Sequence, residues 1–99
     1  MSDKYADIPL INNTETRRFE MLVEGAVSFI QYKQHAHTIT LLHTEVPQAL
    51  EGRGIAASLV EKTLHYLEDN HFKLISLCPY VTMYLKRHPE WNRIVEQPL

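Results

Sequence analysis

The residues of this chain whose types and spacing can do chemistry fall in two blocks, "HTEVPQALEGRGIA" (43–56) and "CPYVTMY" (78–84). In the first, His43 and Glu45 stand two apart in an apolar, β-branched run, so on a strand their side chains share a face. Either could take a proton from an amine, directly or through water; the other reading is a polar pair that satisfies its own hydrogen bonds. Gly52 and Gly54, two of only three glycines among 99 residues, then bracket Arg53. Glycines there let the backbone adopt positive φ and approach a ligand without a Cβ in the way. A helix starting just beyond them would aim its unpaired N–H groups and positive dipole end at an anion, phosphate above all, and Arg53 adds a guanidinium for phosphate oxygens. "EGRGIA" has neither the Gly-Lys-Ser/Thr ending of a nucleotide-phosphate loop nor the full G-x-G-x-x-G pattern, so its spacing alone leaves a tight turn equally open.

In the second block Cys78 immediately precedes Pro79, a residue suited to a first helical turn. A thiol at or beside that helix cap meets a dipole that favours thiolate, which makes Cys78 either a reactive nucleophile or a small buried apolar residue. Tyr80 and Tyr84 are four apart and share a helix face, where one phenol could protonate a leaving group or both could be packing. His35 and His37 would share a strand face as metal ligands can, but no third ligand stands at a recognisable spacing, and no metal is expected. Lys86, Arg87 and His88 suit the negative end of a helix dipole and could also hold a phosphate.

The elements that must position these groups follow from periodicity. "RRFEMLV", "AVSFIQYK" and "TITLLHTEV" are strand-like runs joined by Glu24-Gly25 and by "QHAH", an antiparallel meander of three strands. Ile30 and Tyr32 point one way and Val27 and Phe29 the other, as do Ile39 and Leu41 against Leu42 and Val46, which implies a sheet covered on both faces. Ile55, Leu59, Val60, Leu64 and Leu67 recur at the helical period, closed by Asn70. "FKLISLC" has strand length, and Pro79 and Pro89 bracket a second helix. The expected fold is α/β (α+β), with the order β-β-β-α-β-α and a mostly antiparallel twisted sheet carrying helices on both faces. Residues 1–15 read as an N-terminal arm or edge strand ahead of a single domain over 16–99.

The net charge of −2 with dispersed basic residues gives no nucleic-acid footprint. No apolar run nears the ~20 residues of a membrane span, the first residues do not resemble a signal peptide, and the lone cysteine suits a reducing compartment; a cytoplasmic location is expected.

The blocks "HTEVPQALEGRGIAASLV" and "LISLCPYVTMYLKRHPEW" together resemble the short single-domain GNAT-like proteins, YjdJ-type members of the GNAT acyltransferase superfamily, over about Arg17 to Trp91. The superfamily's pyrophosphate loop reads Q/R-x-x-G-x-G/A; here Glu51, Gly54 and Ala56 occupy its defined positions, and Glu51 departs from the pattern with an acid that cannot neutralise phosphate. The resemblance implies acetyl-CoA as cofactor, with the amides of Gly52, Arg53, Gly54, Ile55 and Ala56 on its pyrophosphate. It also implies that the pantetheine arm lies along the strand through Thr44 to Val46, near Cys78 and Tyr80. The implied chemistry is attack of an unidentified amine on the thioester. Glu45 or His43 would be the base, Tyr84 or Tyr80 the acid, and Cys78 an acyl acceptor or a group that positions the thioester. Larger members carry helices between their first two strands that build the acceptor site, and Glu24-Gly25 leaves no room for them. A non-catalytic acyl-CoA-binding or protein-interaction module is therefore the alternative. In either case a monomer or weak homodimer is expected.

Overall fold

The chain enters its sheet at one edge, where Ile11–Asn13 (β1) pairs antiparallel with Arg18–Val23 (β2) in a computed structural model that describes residues 4–96. Glu24 and Gly25 both take positive φ, 51° and 80°, as a two-residue hairpin turn of primed type requires, and fold β2 back on Ala26–His35 (β3). A second turn at Ala36-His37 leads to Thr38–Glu45 (β4), antiparallel to β3. A 3-10 turn at Gln48–Leu50 then precedes Ile55–Asp69 (α1), which crosses over to Lys73–Ser76 (β5), parallel to β4. Pro79–Arg87 (α2) and a 3-10 segment at Pro89–Ile94 complete the order, and the sheet runs β1-β2-β3-β4-β5. This is the mixed α/β architecture expected, mostly antiparallel.

Helix boundaries follow local chemistry. Asn70 caps α1 with its side-chain amide, which donates to the Tyr66 carbonyl at 2.8 Å, and His71 takes the left-handed position beyond it at φ 62°. Pro79 occupies the first turn of α2, where a missing N–H costs nothing, and Lys86 and Arg87 face the dipole's negative end.

The expectation of helices on both faces is corrected. Phe19, Met21 and Val23 of β2 and Ser28, Ile30 and Tyr32 of β3 are buried on one face, against which α1 sets Leu59, Leu64 and Leu67. Full burial of each such leucine contributes about 1.5–3 kcal/mol. Helix α2 and the 3-10 segment after it lie beside α1 on that same face: from α2 the Tyr84 hydroxyl donates to Glu61, and from the 3-10 segment the Trp91 ring centroid is 5.0 Å from His65 and Arg93 Nη2 donates to Glu68 at 2.9 Å. The opposite face is open, with Leu22 53 % and Val27 43 % exposed. Phe29 is shielded there by its own neighbour, the Arg18 guanidinium at 3.9 Å from its ring centre, rather than by a helix.

Candidate functional site

The ladder between β4 and β5 ends at Leu41 and Ser76, with a last bond from the Leu77 N–H to the Leu41 carbonyl at 2.9 Å. Two local features open it. Pro79 turns the chain into α2, and a bulge between Gln31 and Tyr32 leaves Leu42 without a partner in β3. From Leu42 to Glu45 the β5-side edge of β4 therefore has no strand partner among the described residues.

At the end of that edge lies a groove of about 250 Å³ lined by Val46, Leu50, Glu51, Gly52, Gly54, Ile55, Ala56, Ala57 and Tyr80. Gly52 and Gly54 hold φ of 76° and 80°, and Gly54 is the N-cap of α1. A Cβ built on either would touch nothing within 4 Å, so glycine is needed for backbone angle rather than for crowding, and the space before the loop is free. The first turn of α1 holds no acidic residue, so its unpaired N–H groups present positive potential to the groove. Exposed Glu51 is the one acid in the lining.

Arg53 is placed differently from its expected use. Its guanidinium grips Glu24 at the tip of the β2–β3 hairpin, with Nη1 donating to Oε1 at 3.2 Å and Nη2 to Oε2, while its carbonyl accepts the Tyr5 hydroxyl at 2.9 Å. The hydrogen bond to Arg53, then its charge, hold the Glu24 carboxyl below its ordinary value, and the same pair holds Arg53 higher.

The remaining candidates divide across β4. Thr44 faces the helices and its hydroxyl lies 3.3 Å from the Cys78 thiol, which is 2 % exposed. Cys78 is the N-cap residue of α2, but no side-chain bond caps that helix. His43 and Glu45 are on the open face, 3.4 Å apart between Nε2 and Oε1 and about 60 % exposed. The two sets meet only at the unpaired edge between them. Tyr80 lines the groove with its hydroxyl unpartnered among the described residues, and burial raises its pKa above the ordinary value. Tyr84 is turned to α1: burial first, then the bond to Glu61, raise it well above 10.0, which makes it a poor acid.

A second hollow of about 180 Å³, sharing Ala57 and Tyr80 with the first, is lined also by Met83, Tyr84, Arg87 and His88. Leu50, Ala57 and Met83 were not singled out in the sequence; they are apolar positions with no motif to mark them. Among the described residues no group of three or more His, Cys, Asp or Glu could hold a metal, and no helix is long and apolar enough to cross a membrane.

The groove is bordered by the start of α1, where backbone N–H groups lack helical partners, and by Val46, just past the unpaired end of β4, an arrangement suited to an anionic group. Comparison with known proteins gives the family and the fold. The family described as GCN5-related N-acetyl-transferase matches residues 18–94. The Xenopus tropicalis protein NATD1 is 31 % identical over 91 residues, 88 % of this chain and 83 % of that protein. The Gallus gallus protein NATD1 is 39 % identical over 86 residues, 83 % of this chain and 77 % of that one. The solution structure of a GCN5-like protein from Staphylococcus aureus superposes with a TM-score of 0.66 at 19 % identity, covering 94 % of this chain and 90 % of that one, a likeness of fold.

Proposed function

This chain belongs to the GCN5-related N-acetyltransferase family, and from that premise we propose that it binds acetyl-CoA at the start of α1 and transfers the acetyl group to an amine. The observation that carries the reading is the loop itself: two left-handed glycines in the lining of a groove that also takes in Val46, the residue that follows the unpaired end of β4.

In this reading the amides of Gly52, Arg53, Gly54, Ile55 and Ala56 bind the pyrophosphate, Glu51 lowers the affinity without blocking the site, and the edge from Thr44 to Val46 offers backbone partners to the pantetheine arm. Acetyl-CoA supplies a thioester carbonyl as the electrophile. Glu45, with His43 beside it, takes the amine proton from the open face, and Tyr80, whose hydroxyl is unpartnered among the described residues, returns a proton on the groove side. The burial of Cys78 and its contact with Thr44 support direct attack by the amine over an acyl-enzyme, with the thiol as packing beside the reacting groups.

A second reading, an acyl-CoA-binding or protein-interaction module without efficient turnover, is favoured by one observation: at about 60 % exposure His43 and Glu45 have no enclosing wall to desolvate an acceptor.

Thermal unfolding against acetyl-CoA concentration tests binding, with stabilisation of about 2.7 kcal/mol expected at a hundredfold excess over Kd. No shift at millimolar ligand sinks both readings. Thioester consumption over a panel of amines then separates them: catalysis predicts turnover that Glu45→Gln lowers by roughly 10²–10⁴-fold, and the module predicts a rate equal to buffer.

A further inference from the structure

Arg53 sits between two glycines, the residue type that lets a backbone wander most, yet it is held from two sides by elements remote in sequence. The hairpin tip contributes Glu24, 29 residues away, whose carboxylate receives both terminal guanidinium nitrogens. The N-terminal segment contributes Tyr5, 48 residues away, whose hydroxyl donates to the Arg53 carbonyl at 2.9 Å. Both anchors are themselves fixed. Glu24 stands in the positive-φ hairpin turn, which fixes where its exposed side chain starts, and Tyr5 is 7 % exposed with its carbonyl accepting the Ile8 N–H at 3.0 Å. The Lys62 ammonium ties the same segment to α1 through the Ala6 carbonyl at 3.4 Å. Gly52 and Gly54 line the groove while Arg53 does not.

We propose that Glu24 and Tyr5 are positioning residues for the anion-binding loop, clamping Arg53 from outside so that the amides of Gly52 to Gly54 keep the geometry that receives a diphosphate. The inference rests on the acetyl-CoA reading of the groove. An exposed ion pair adds little stability, so what the bidentate clamp supplies is geometry. The rival arrangement is a competition in which a bound diphosphate draws Arg53 away from Glu24. The two differ in sign: loss of the Glu24 charge weakens coenzyme binding under the clamp and tightens it under the competition.

The experiment measures Kd for coenzyme A by calorimetry in the wild type, Glu24→Gln, Glu24→Asp and Tyr5→Phe, with amide order parameters of residues 52–54 in the free proteins. Expected is a Kd raised roughly three- to tenfold in Glu24→Gln and Tyr5→Phe, partly recovered in Glu24→Asp, with the thermal midpoint of the free protein nearly unchanged in the Glu24 variants and lowered by a few degrees in Tyr5→Phe. The loop order parameters should fall from about 0.85 towards 0.6 in Glu24→Gln and Tyr5→Phe. An unchanged or lowered Kd in Glu24→Gln overturns the proposal. A wild type that does not bind coenzyme A overturns the reading of the groove instead, and the free-protein order parameters then decide the clamp alone: a loop equally rigid in all four proteins overturns it.

Discussion

The Thr44 hydroxyl stands 3.3 Å from the Cys78 thiol, past the last rung of the β4–β5 ladder at Leu41 and Ser76. The contact joins the end of β4 to the N-cap residue of α2, where no backbone bond does so among the described residues, and with 2 % exposure Cys78 is closed to solvent. Iodoacetamide should therefore modify Cys78 slowly in the native protein and rapidly in urea. Cys78→Ala, which leaves a void of one sulfur atom, is expected to cost about 1 kcal/mol in urea unfolding. Native-state alkylation as fast as a free thiol would show that the groove opens to Cys78.

Gly54 holds φ 80° with no neighbour near a built Cβ, so the cost of a side chain there is conformational. Gly54→Ala should lose about 1 kcal/mol of stability, Gly54→Asn less because asparagine tolerates the left-handed region, and Gly54→Val more. Equal losses in all three, measured by chemical unfolding, would indicate crowding rather than backbone angle. Coenzyme affinity should follow the same ranking.

Much of this fold was legible in the residues. The period-two runs became β2 to β4, the three- and four-residue spacing of Ile55 to Leu67 became α1, and Pro79 and Pro89 stand where α2 begins and where the next 3-10 segment starts. What covers each face was not legible. Val27 and Phe29 read as core because apolar residues on both sides of a strand usually mean two covered faces, but here a guanidinium from the adjacent strand shields Phe29 and Val27 stays 43 % exposed. Periodicity reports which residues share a face; it carries no information on what packs against it. The site behaves likewise. The glycine loop is visible as a motif, whereas the grip of Glu24 on Arg53 and the turn of Tyr84 towards Glu61 are contacts between residues 29 and 23 apart that spacing does not encode.

The open face makes a stability contrast. Val27→Thr should change unfolding free energy by less than about 0.5 kcal/mol, whereas Ile30→Ala, on the helix-covered face of the same strand, should lose about 2–5 kcal/mol. Similar losses from both would mean that something covers Val27 in solution.

Acid stability should depend on Glu68. The hydrogen bond from Arg93 holds its carboxyl below the ordinary 4.5, so the folded state binds the proton less readily than the unfolded chain. The stability this contributes is present above pH 4.5 and is lost as pH falls through the depressed folded value. Glu68→Gln should therefore be less stable than the wild type at neutral pH, and the gap between their thermal midpoints should close in acid. A gap that stays constant with pH would assign the difference to packing.

Tyr84 supplies the corresponding test at the alkaline end and separates the two tyrosines of α2. Its phenol is half-buried against α1 and bonded to the Glu61 carboxylate, so ionisation would place a second negative charge beside the first. The folded pKa is raised above 10.0, hence the stability it contributes is fully present below pH 10.0 and fades as pH rises through the folded value. Tyrosinate absorbance should show a late-titrating component that Tyr84→Phe removes. Tyr80, raised mainly by burial and paired with no carboxylate among the described residues, should ionise earlier. In acetyl transfer Tyr80→Phe should then lower kcat while Tyr84→Phe lowers stability with kcat near the wild type. The reverse pattern would move the proton donor to Tyr84 and require its bond to Glu61 to break during turnover.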